Sequence, residues 1–399
     1  YQTLSIGALD TAAVNDFAGN MVYEHTDYAS TADIMGFKVS HVYNSLYAYY
    51  GFNNVNTLCA NGLYRMRIHT GNYSSMYVGR GWKLNVYESL FLDSASGYLI
   101  YNDATGMEYY LKNTSSGTYI DEDGLGITVT ASGQYHIMRY EDGSGQVKRF
   151  YNGMLYRIED EDGNYIIINY QTSNHLPDNA APITSIEQYS KEANQTKTIA
   201  EFTFGSDHYL TSVKDQYGVI TTYTYTAMSN GGRYLTRISS SNGEAVSFQY
   251  DTSHSAAMVQ AWDELSTYGI NFTYENRKVS GYTEFVGVPG LDMTAGSRVR
   301  VSRSQNRTVS YAFDALNENG VYENKTYTTY VFDYNGQTIT TYATDGGDFD
   351  TNASGQVTLY GAAAYRYHQP TADRSGRLLQ NYAVTGVPSH NLLTNSGAE

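Results

Sequence analysis

Residues 154–170, MLYRIEDEDGNYIIINY, contain the pattern from which the architecture follows. The marker residues of this pattern are Leu155, Ile158, Asp160, Gly163 and Tyr170. Asp and Gly are typical of tight turns, because Asp bonds nearby backbone groups and Gly adopts positive φ without steric cost. The flanking segments are rich in Ile and Tyr, which favour a pleated, half-buried strand. The stretch therefore predicts a β-hairpin.

The same order of residues recurs along the middle of the chain. A second copy consists of Leu210, Val213, Asp215, Gly218, Tyr223 and Tyr225, and a third of Leu235, Ile238, Ser240, Gly243 and Tyr250. Weaker copies begin at Ile183 and Met258, so the five starts are 28, 27, 25 and 23 residues apart. Because a single hairpin is only marginally stable in water, such units must pair side by side into a twisted sheet. The predicted fold is all-β, with stacked β-hairpin repeats that form a curled sheet or a partial β-shell.

Alternation of apolar and polar residues predicts further strands. Residues 37–44 place His41 and Tyr43 on one face, and residues 245–250 alternate in the same way. Both segments are expected to be half-buried strands. His41 is expected to be a hydrogen-bonded imidazole in the core. The segment that begins at Met258 also fits a helical turn, but its place in the repeat favours a strand.

The composition limits the partners that this chain can have. Its 399 residues include 25 Lys and Arg against 40 Asp and Glu, which gives a net charge of −15. A surface this acidic argues against nucleic-acid binding and against docking on anionic membranes. No apolar run is long enough for membrane insertion. The single cysteine, Cys59, excludes a disulfide framework.

Sequence motifs for catalysis are missing from the chain. The nine His residues show no metal-ligand spacing, and neither a Gly-x-Ser-x-Gly elbow nor a Gly-Lys-Ser/Thr phosphate loop occurs. A glycosidase pair of carboxylates depends on three-dimensional distance, so a glycan-active enzyme is kept as a weak alternative. The sequence predicts a protein without enzymatic activity and without a cofactor.

One acidic segment comes close to a calcium-binding loop. Asp348, Asp350 and Asn352 offer the oxygen ligands that Ca²⁺ prefers. The sixth position of this loop is Ala353 and the twelfth is Leu359, where calcium loops have Gly and a bidentate Glu. Solvated turn carboxylates are the competing interpretation.

The basic residues form one cluster. Its members are Arg298, Arg300, Arg303 and Arg307, and the first two alternate as a strand would. One interpretation is a solvated face that protects an edge strand from unwanted pairing. The other is an internal patch that binds acidic groups.

The tyrosines between residues 45 and 78 have two interpretations. The candidates are Tyr47, Tyr50, Tyr64, Tyr73 and Tyr77. Cross-strand aromatic pairs stabilise a sheet by roughly 0.2–1 kcal/mol each, which would make these residues structural. A row of exposed rings would instead stack on sugars, which would make this insertion a glycan-binding site.

The repeat unit resembles the tyrosine–aspartate (YD) repeats of rearrangement-hotspot (RHS) proteins. In that family, an aromatic strand leads through Tyr/Phe-Asp and Gly to Leu-x-x-Ile/Val-x-Asp-x-x-Gly. Two later copies carry the aromatic-Asp pair itself, at Phe313-Asp314 and at Phe332, Asp333 and Gly336. The segments that resemble the family's lead-in to the repeats are 19–23, 26–28, 41–45 and 79–84.

The resemblance implies a domain order. The implied units are a lead-in β domain at 1–112 with the aromatic insertion near 45–78, YD-like hairpins at 113–345, terminal strands or a linker at 346–390, and the start of a following jelly roll at 391–399. Because the chain begins with Tyr1 and without a signal segment, we expect it to be an internal piece of a longer protein.

The resemblance also implies a function. Members of this family form shells of spiralling strands, and some enclose a C-terminal toxic domain, as in bacterial polymorphic toxins. The expected function is a non-catalytic extracellular scaffold that encloses or displays the C-terminal domain of the same longer chain. The expected location is secreted or at the bacterial cell surface. The alternative is an adhesin module that binds cell-wall or host glycans.

Overall fold

The computed structural model of the chain describes residues 2–6, 10–16, 18–30, 35–50, 76–94, 96–121, 126–178, 181–227, 233–251, 257–303, 308–332, 338–351, 357–368 and 382–386. Only the backbone is described at 2–6, 30, 47, 49–50, 308, 324–332 and from 338 onward. The described residues form 29 strands and one short helix. The all-β prediction is therefore confirmed.

The first five strands form an antiparallel sheet in chain order, here called the N-terminal sheet. Its elements are β1 Gln2–Ile6, β2 Asp10–Val14, β3 Met21–Ser30, β4 Phe37–Asn44 and β5 Trp82–Leu84, with helix α1 Ser45–Tyr50 after β4. None of the helical residues that the structure describes belongs to a segment long and apolar enough to cross a bilayer.

The next eight strands close into a barrel. Their bounds are β6 Ser89–Leu92, β7 Leu99–Asn102, β8 Glu108–Ser115, β9 Thr118–Asp121, β10 Ile127–Ser132, β11 Tyr135–Tyr140, β12 Val147–Tyr151 and β13 Met154–Glu159. Met154 pairs with Ser89 to close the ring, and beside this pair the Leu90 amide donates to the Gly153 carbonyl at 2.8 Å. The chain passes from the N-terminal sheet to the sheet of the barrel between β5 and β6. Residue 112, at which the resemblance places the end of the lead-in domain, lies inside β8.

From β13 the sheet continues edge to edge through strands β14 to β29. Their bounds are β14 Tyr165–Tyr170, β15 Ile183–Ser190, β16 Gln195–Phe204, β17 Leu210–Asp215, β18 Ile220–Ala227, β19 Arg233–Ser240, β20 Ala245–Tyr250, β21 Met258–Asp263, β22 Tyr268–Glu275, β23 Lys278–Val286, β24 Thr294–Arg303, β25 Thr308–Leu316, β26 Tyr322–Phe332, β27 Thr338–Thr351, β28 Val357–His368 and β29 Tyr382–Gly386.

The five repeat copies coincide with five consecutive hairpins. These hairpins are β13–β14, β15–β16, β17–β18, β19–β20 and β21–β22. The prediction of one hairpin per unit is confirmed. The segment that begins at Met258 is a strand and not a helix.

The expectation that β4 is half-buried is wrong, because residues 39–44 are buried on both faces. On one face, the hydroxyl of Tyr43 accepts the Met258 amide at 2.8 Å. On the other face, the Lys83 ammonium donates to the carbonyl of Asp103, just after β7. The N-terminal sheet therefore lies between the repeats and the barrel, and neither of its faces is free for solvent along residues 39–44 of β4.

Candidate functional site

The repeat hairpins share one side-chain hydrogen bond. A tyrosine hydroxyl near the end of the second strand donates to a backbone carbonyl at the start of the first strand. The pairs are Tyr170 with Leu155 at 2.8 Å, Tyr225 with Leu210 at 2.8 Å, Tyr250 with Leu235 at 2.5 Å and Tyr274 with Met258 at 2.9 Å. The hairpin β15–β16 ends on Phe204, which has no hydroxyl to donate. The bond closes the open end of each tyrosine-bearing hairpin.

Three of these five hairpins also share one turn geometry. The turn residues are Asp160 and Gly163, Asp215 and Gly218, and Ser240 and Gly243. In each pair, the Gly amide donates to the carbonyl of the residue three positions earlier, at 3.3, 3.1 and 3.0 Å respectively. These Gly residues have φ of 87°, 87° and 99°, a region that side chains disfavour. In the Asp215 turn, Oδ1 also accepts the amides of Tyr217 and Val219 at 2.8 and 2.9 Å.

The N-terminal sheet covers the face on which the repeats place their apolar side chains. The apolar markers Leu155, Ile158, Leu210, Val213, Leu235 and Ile238 are all buried and belong to the same core as the N-terminal sheet. Trp82 packs on Phe248 with the ring centroids 5.0 Å apart, and its Nε1 donates to the Tyr250 hydroxyl at 2.8 Å. In the described part of the chain, the curled sheet thus holds its own N-terminal sheet against this face.

Two His–Asp pairs lie within this contact. Asp10 Oδ1 is 2.7 Å from His25 Nδ1, and Asp27 Oδ2 is 2.6 Å from His41 Nδ1. The hydroxyl of Tyr223, on β18, donates to Asp27 Oδ1 at 2.7 Å. The two His and two Asp side chains are at most 8% exposed. His41 is therefore the hydrogen-bonded core imidazole that the sequence predicts.

Burial and charge act in opposite directions on His25. Burial alone would lower the pKa of His25, but the neighbouring Asp10 carboxylate, together with Asp27 and Glu244, raises it above the ordinary value. Burial, followed by the charge of Asp27, raises the pKa of Tyr223. Tyr223 therefore keeps its proton and remains a donor to Asp27.

A second set of buried charges lies where the barrel meets the N-terminal sheet. Lys148 Nζ contacts both carboxylate oxygens of Glu88, at 2.9 and 2.8 Å, and the Tyr101 hydroxyl donates to the same group. Lys83 Nζ lies 3.4 Å from Asn102 Oδ1, and burial lowers the pKa of Lys83 to about 8. Lys148 and Glu88 are at most 12% exposed, so this set binds structural elements together and does not present a reactive group to solvent.

The predicted sugar-stacking tyrosines fall into three groups. Tyr77 is half-buried, and its ring packs on a tyrosine of the repeats with the centroids 5.4 Å apart. Tyr47 and Tyr50 lie in α1, where the backbone alone is described. Tyr64 and Tyr73 lie outside the described residues.

The predicted calcium residues lie near the end of the described chain. Asp348 and Asp350 are part of the β27 backbone, and Asn352 lies outside the described residues. Among the side chains that are described, no group of three or more His, Cys, Asp or Glu could hold a metal ion. In the last YD-like copy, Phe332 ends β26, and the following Asp333 and Gly336 lie outside the described residues.

The arginine cluster binds an acidic side chain of the chain itself. Arg298 Nε and Arg300 Nε donate to Asp314 Oδ2 at 2.7 and 2.8 Å, and Asp314 belongs to the Phe-Asp pair. The edge-strand interpretation is wrong, because β24 pairs with β23 on one side and β25 on the other. Arg303 donates to a backbone carbonyl of β23, and Arg307 lies outside the described residues.

A cavity of about 330 Å³ opens beside His25, and we call it the inter-sheet cavity. Its polar lining residues include His25, Asp27, Asp215, Ser240, Asn242 and Glu244. The motifs in the sequence do not single out His25. The alternation along β3 nevertheless indicates a buried His25, because His25 follows Met21 and Tyr23 on the same face. A buried polar residue needs a hydrogen-bond partner.

The comparisons with known proteins find a distant likeness to solved structures. No family model matches the sequence, and no curated protein matches it. The crystal structure of TcdB2-TccC3 without its hypervariable C-terminal region is 11% identical with a TM-score of 0.35, over 92% of this chain and 22% of that one. The Photorhabdus luminescens Tc holotoxin pore is 9% identical with a TM-score of 0.31, over 94% of this chain and 25% of that one.

A porin-like protein from Bacteroides uniformis is 12% identical with a TM-score of 0.19, over 65% of this chain and 92% of that one. This chain therefore spans about a quarter of the length of the two toxin chains. Because all three TM-scores are below 0.5, the likeness assigns no function to this chain.

Proposed function

We propose that this chain is a non-catalytic scaffold, a section of a β-shell of the RHS/YD-repeat type that encloses or displays a C-terminal effector domain. The observation that carries the proposal is the tyrosine-to-carbonyl bond, which recurs in four of five consecutive hairpins. A feature repeated in this way stabilises each unit of a wall in the same manner. A binding or catalytic site would instead need different residues gathered at one place.

The continuity of the sheet supports the same function. Strands β6 to β29 pair edge to edge, so each hairpin is held by the next one along the chain. The apolar face of five hairpins is already covered by the N-terminal sheet. A wall whose apolar markers are covered in this way is suited to separate one compartment from another.

The test of this proposal is protection from protease. We expect that, in the polypeptide encoded by the complete reading frame, the segment after Glu399 resists trypsin when residues 1–345 are present. The same segment expressed without those residues should be digested faster. Equal digestion in the two cases would contradict the proposal, and so would a reading frame that ends at Glu399.

The proposed location is secreted or at the bacterial cell surface, and the proposed partners are the C-terminal domain and cell-wall or host glycans. These parts rest on the resemblance to RHS/YD-repeat proteins alone. Cell fractionation with an antibody against the folded chain tests them. A protein confined to the cytosolic fraction would contradict the location.

A further inference from the structure

Lys83, in the middle of β5, is a fully buried lysine that the scaffold function does not explain. Its exposed fraction is 0%, and its ammonium contacts two oxygens, Oδ1 of Asn102 at 3.4 Å and the backbone carbonyl of Asp103. Neither oxygen carries a net charge, and among the described residues no carboxylate forms an ion pair with Lys83. Burial removes the hydration of a charge, so an ammonium in this position is costly unless the charge is removed.

Lys148, in the same set of buried charges, shows the usual arrangement of a buried lysine. Its ammonium lies 2.8 Å from the Glu88 carboxylate, and the Tyr101 hydroxyl donates to that same carboxylate. Glu88 therefore compensates Lys148. The charge of Lys83 has to be removed in another way.

Loss of a proton makes Lys83 a nucleophile. Burial lowers the pKa of Lys83 to about 8, although the charges of Asp103 and Glu88 act in the opposite direction. About a tenth of the Lys83 side chains are therefore uncharged at pH 7. The uncharged amine carries a lone pair on Nζ, as a nucleophilic lysine requires.

The side-chain amide of Asn102, at the end of β7, is the group that this amine meets. Asn102 is 4% exposed, and its Nδ2 donates to the Gly106 carbonyl at 3.4 Å while its Oδ1 lies on the side of Lys83. Because a C=O bond is about 1.2 Å long, Nζ lies within about 4.6 Å of Asn102 Cγ. Reacting atoms are in position for attack at about 3–3.5 Å, so a small rotation of either side chain is sufficient.

We propose that Lys83 and Asn102 condense into an intramolecular isopeptide bond that joins the N-terminal sheet to the barrel. The Nζ lone pair attacks Cγ of Asn102, the Nζ–Cγ bond forms and the Cγ–Nδ2 bond breaks. One proton passes from Nζ to Nδ2, which leaves as ammonia, so no oxidant, reductant or further reactant is needed. Asp103 and Glu88, the carboxylates whose charges act on Lys83, are expected to assist this proton transfer.

The product amide is neutral, so the reaction removes the buried charge, and Lys83 no longer titrates in a chain that carries the bond. The bond closes a covalent ring over residues 83–102 and fixes β5, a strand of three residues, to the end of β7. Such a cross-link stabilises a fold mainly by restricting the unfolded chain. This modification goes beyond the scaffold function and does not depend on it.

Mass spectrometry of the whole chain, folded and then denatured for the measurement, tests the bond. We expect a mass lower than that of the sequence by one ammonia. Digestion should give a branched peptide in which the segment with Lys83 is joined to the segment with Asn102, and trypsin should not cleave after Lys83. Lys83→Met and Asn102→Ala should each have the full mass of their sequences.

The matched control is Lys112→Met, because Lys112 is an exposed lysine on β8, and this variant should keep the loss of one ammonia. A succinimide at an Asn-Gly pair, such as Asn242-Gly243, also loses ammonia, but that loss would persist in Lys83→Met. The mass of the unaltered chain decides the question even if a variant fails to fold, and a cooperative thermal transition shows that the unaltered chain is folded. The proposal is overturned if the folded, unaltered chain has its full sequence mass, if the loss persists in Lys83→Met, or if no peptide links residues 83 and 102.

Discussion

The tyrosine side chain makes two contributions to the stability of the repeat hairpins. Its ring adds buried apolar surface, and its hydroxyl satisfies a backbone carbonyl near the open end of the hairpin. Phe contributes the apolar surface of the ring alone, as at Phe204 in the hairpin β15–β16. This double use gives a physical reason for part of the enrichment to 42 tyrosines in the chain.

Removal of a single hydroxyl tests this view. Tyr225→Phe keeps the ring and deletes the donor to Leu210, so we expect the free energy of unfolding to fall by about 1–2 kcal/mol. Urea denaturation measures the change. Tyr135→Phe, at an exposed position, is the control and should change the free energy by less than about 0.5 kcal/mol. Equal losses in the two variants would show that the hydroxyl of Tyr225 has no special role.

The pair of Asp10 and His25 should make stability depend on pH. Because the pKa of His25 is raised in the folded state, its protonated form adds stability that is fully present below the ordinary pKa of about 6.5. That stability is lost as the pH rises through the raised pKa. Free energies of unfolding between pH 5.5 and 9 should be compared with those of the double variant Asp10→Asn, His25→Gln, which leaves no unpaired carboxylate buried.

The difference in unfolding free energy between the two proteins should shrink as the pH increases. Lys83, whose pKa is lowered to about 8, titrates in both proteins and cancels in the difference. A difference that is constant over this range, or that grows with pH, would contradict the assigned direction of the pKa shift of His25.

At the level of the elements, the turns set the spacing of the hairpins. The Gly that ends the turns of β13–β14, β17–β18 and β19–β20 takes a positive φ, and at Gly218 this value is 87°. A Cβ atom added at Gly218 would meet no heavy atom within 4 Å, so the backbone conformation and not crowding limits the residue. A substitution at Gly218 therefore tests the effect of the positive φ without a steric clash.

Gly218→Ala should lower the free energy of unfolding by about 1–2 kcal/mol, because an L side chain is disfavoured at this φ. Gly218→Asn should cost less, since Asn enters the left-handed region more readily. Thermal and urea unfolding of both variants check the order. If Ala is tolerated as well as Gly, or better than Asn, the turn does not constrain the hairpin.

The hairpins could be predicted from sequence because their information is local. The marker spacing from Leu155 to Gly163 contains both the apolar pair and the turn, and the copies at Leu210 and Leu235 repeat it. The contacts between elements could not be predicted in the same way. Asp27 and Tyr223 are 196 positions apart and share no local pattern, so their hydrogen bond appears only in the folded chain. The same holds for β4, whose second face is buried by the distant barrel.

At the level of the whole molecule, the N-terminal sheet and the repeats share one core. Trp82 of β5 packs on Phe248 of β20 and bonds Tyr250, and Tyr43 of β4 bonds the Met258 amide. Neither part buries its apolar face without the other. The two parts should therefore unfold together and not as separate domains.

The two tryptophans allow the unfolding of the N-terminal sheet to be compared with that of the repeats. Trp82 reports on the N-terminal sheet, and Trp262 lies in β21 of the repeats. In the variant Trp262→Phe, the fluorescence of Trp82 and the far-ultraviolet circular dichroism should change at the same urea concentration. A fluorescence transition at clearly lower urea would mean that the N-terminal sheet leaves the repeats before they unfold.

Hydrogen–deuterium exchange of the intact chain, read peptide by peptide, examines the paired hairpins across residues 155–275. Slow exchange should follow the ten strands β13 to β22, with fast exchange at the turns and loops between them. The protected stretches should therefore come in pairs, one pair for each hairpin, and the pairs should repeat at the 23 to 28 residue spacing of the sequence copies. Uniformly fast exchange over residues 155–275, or protection without this spacing, would show that the hairpins do not form one continuous wall.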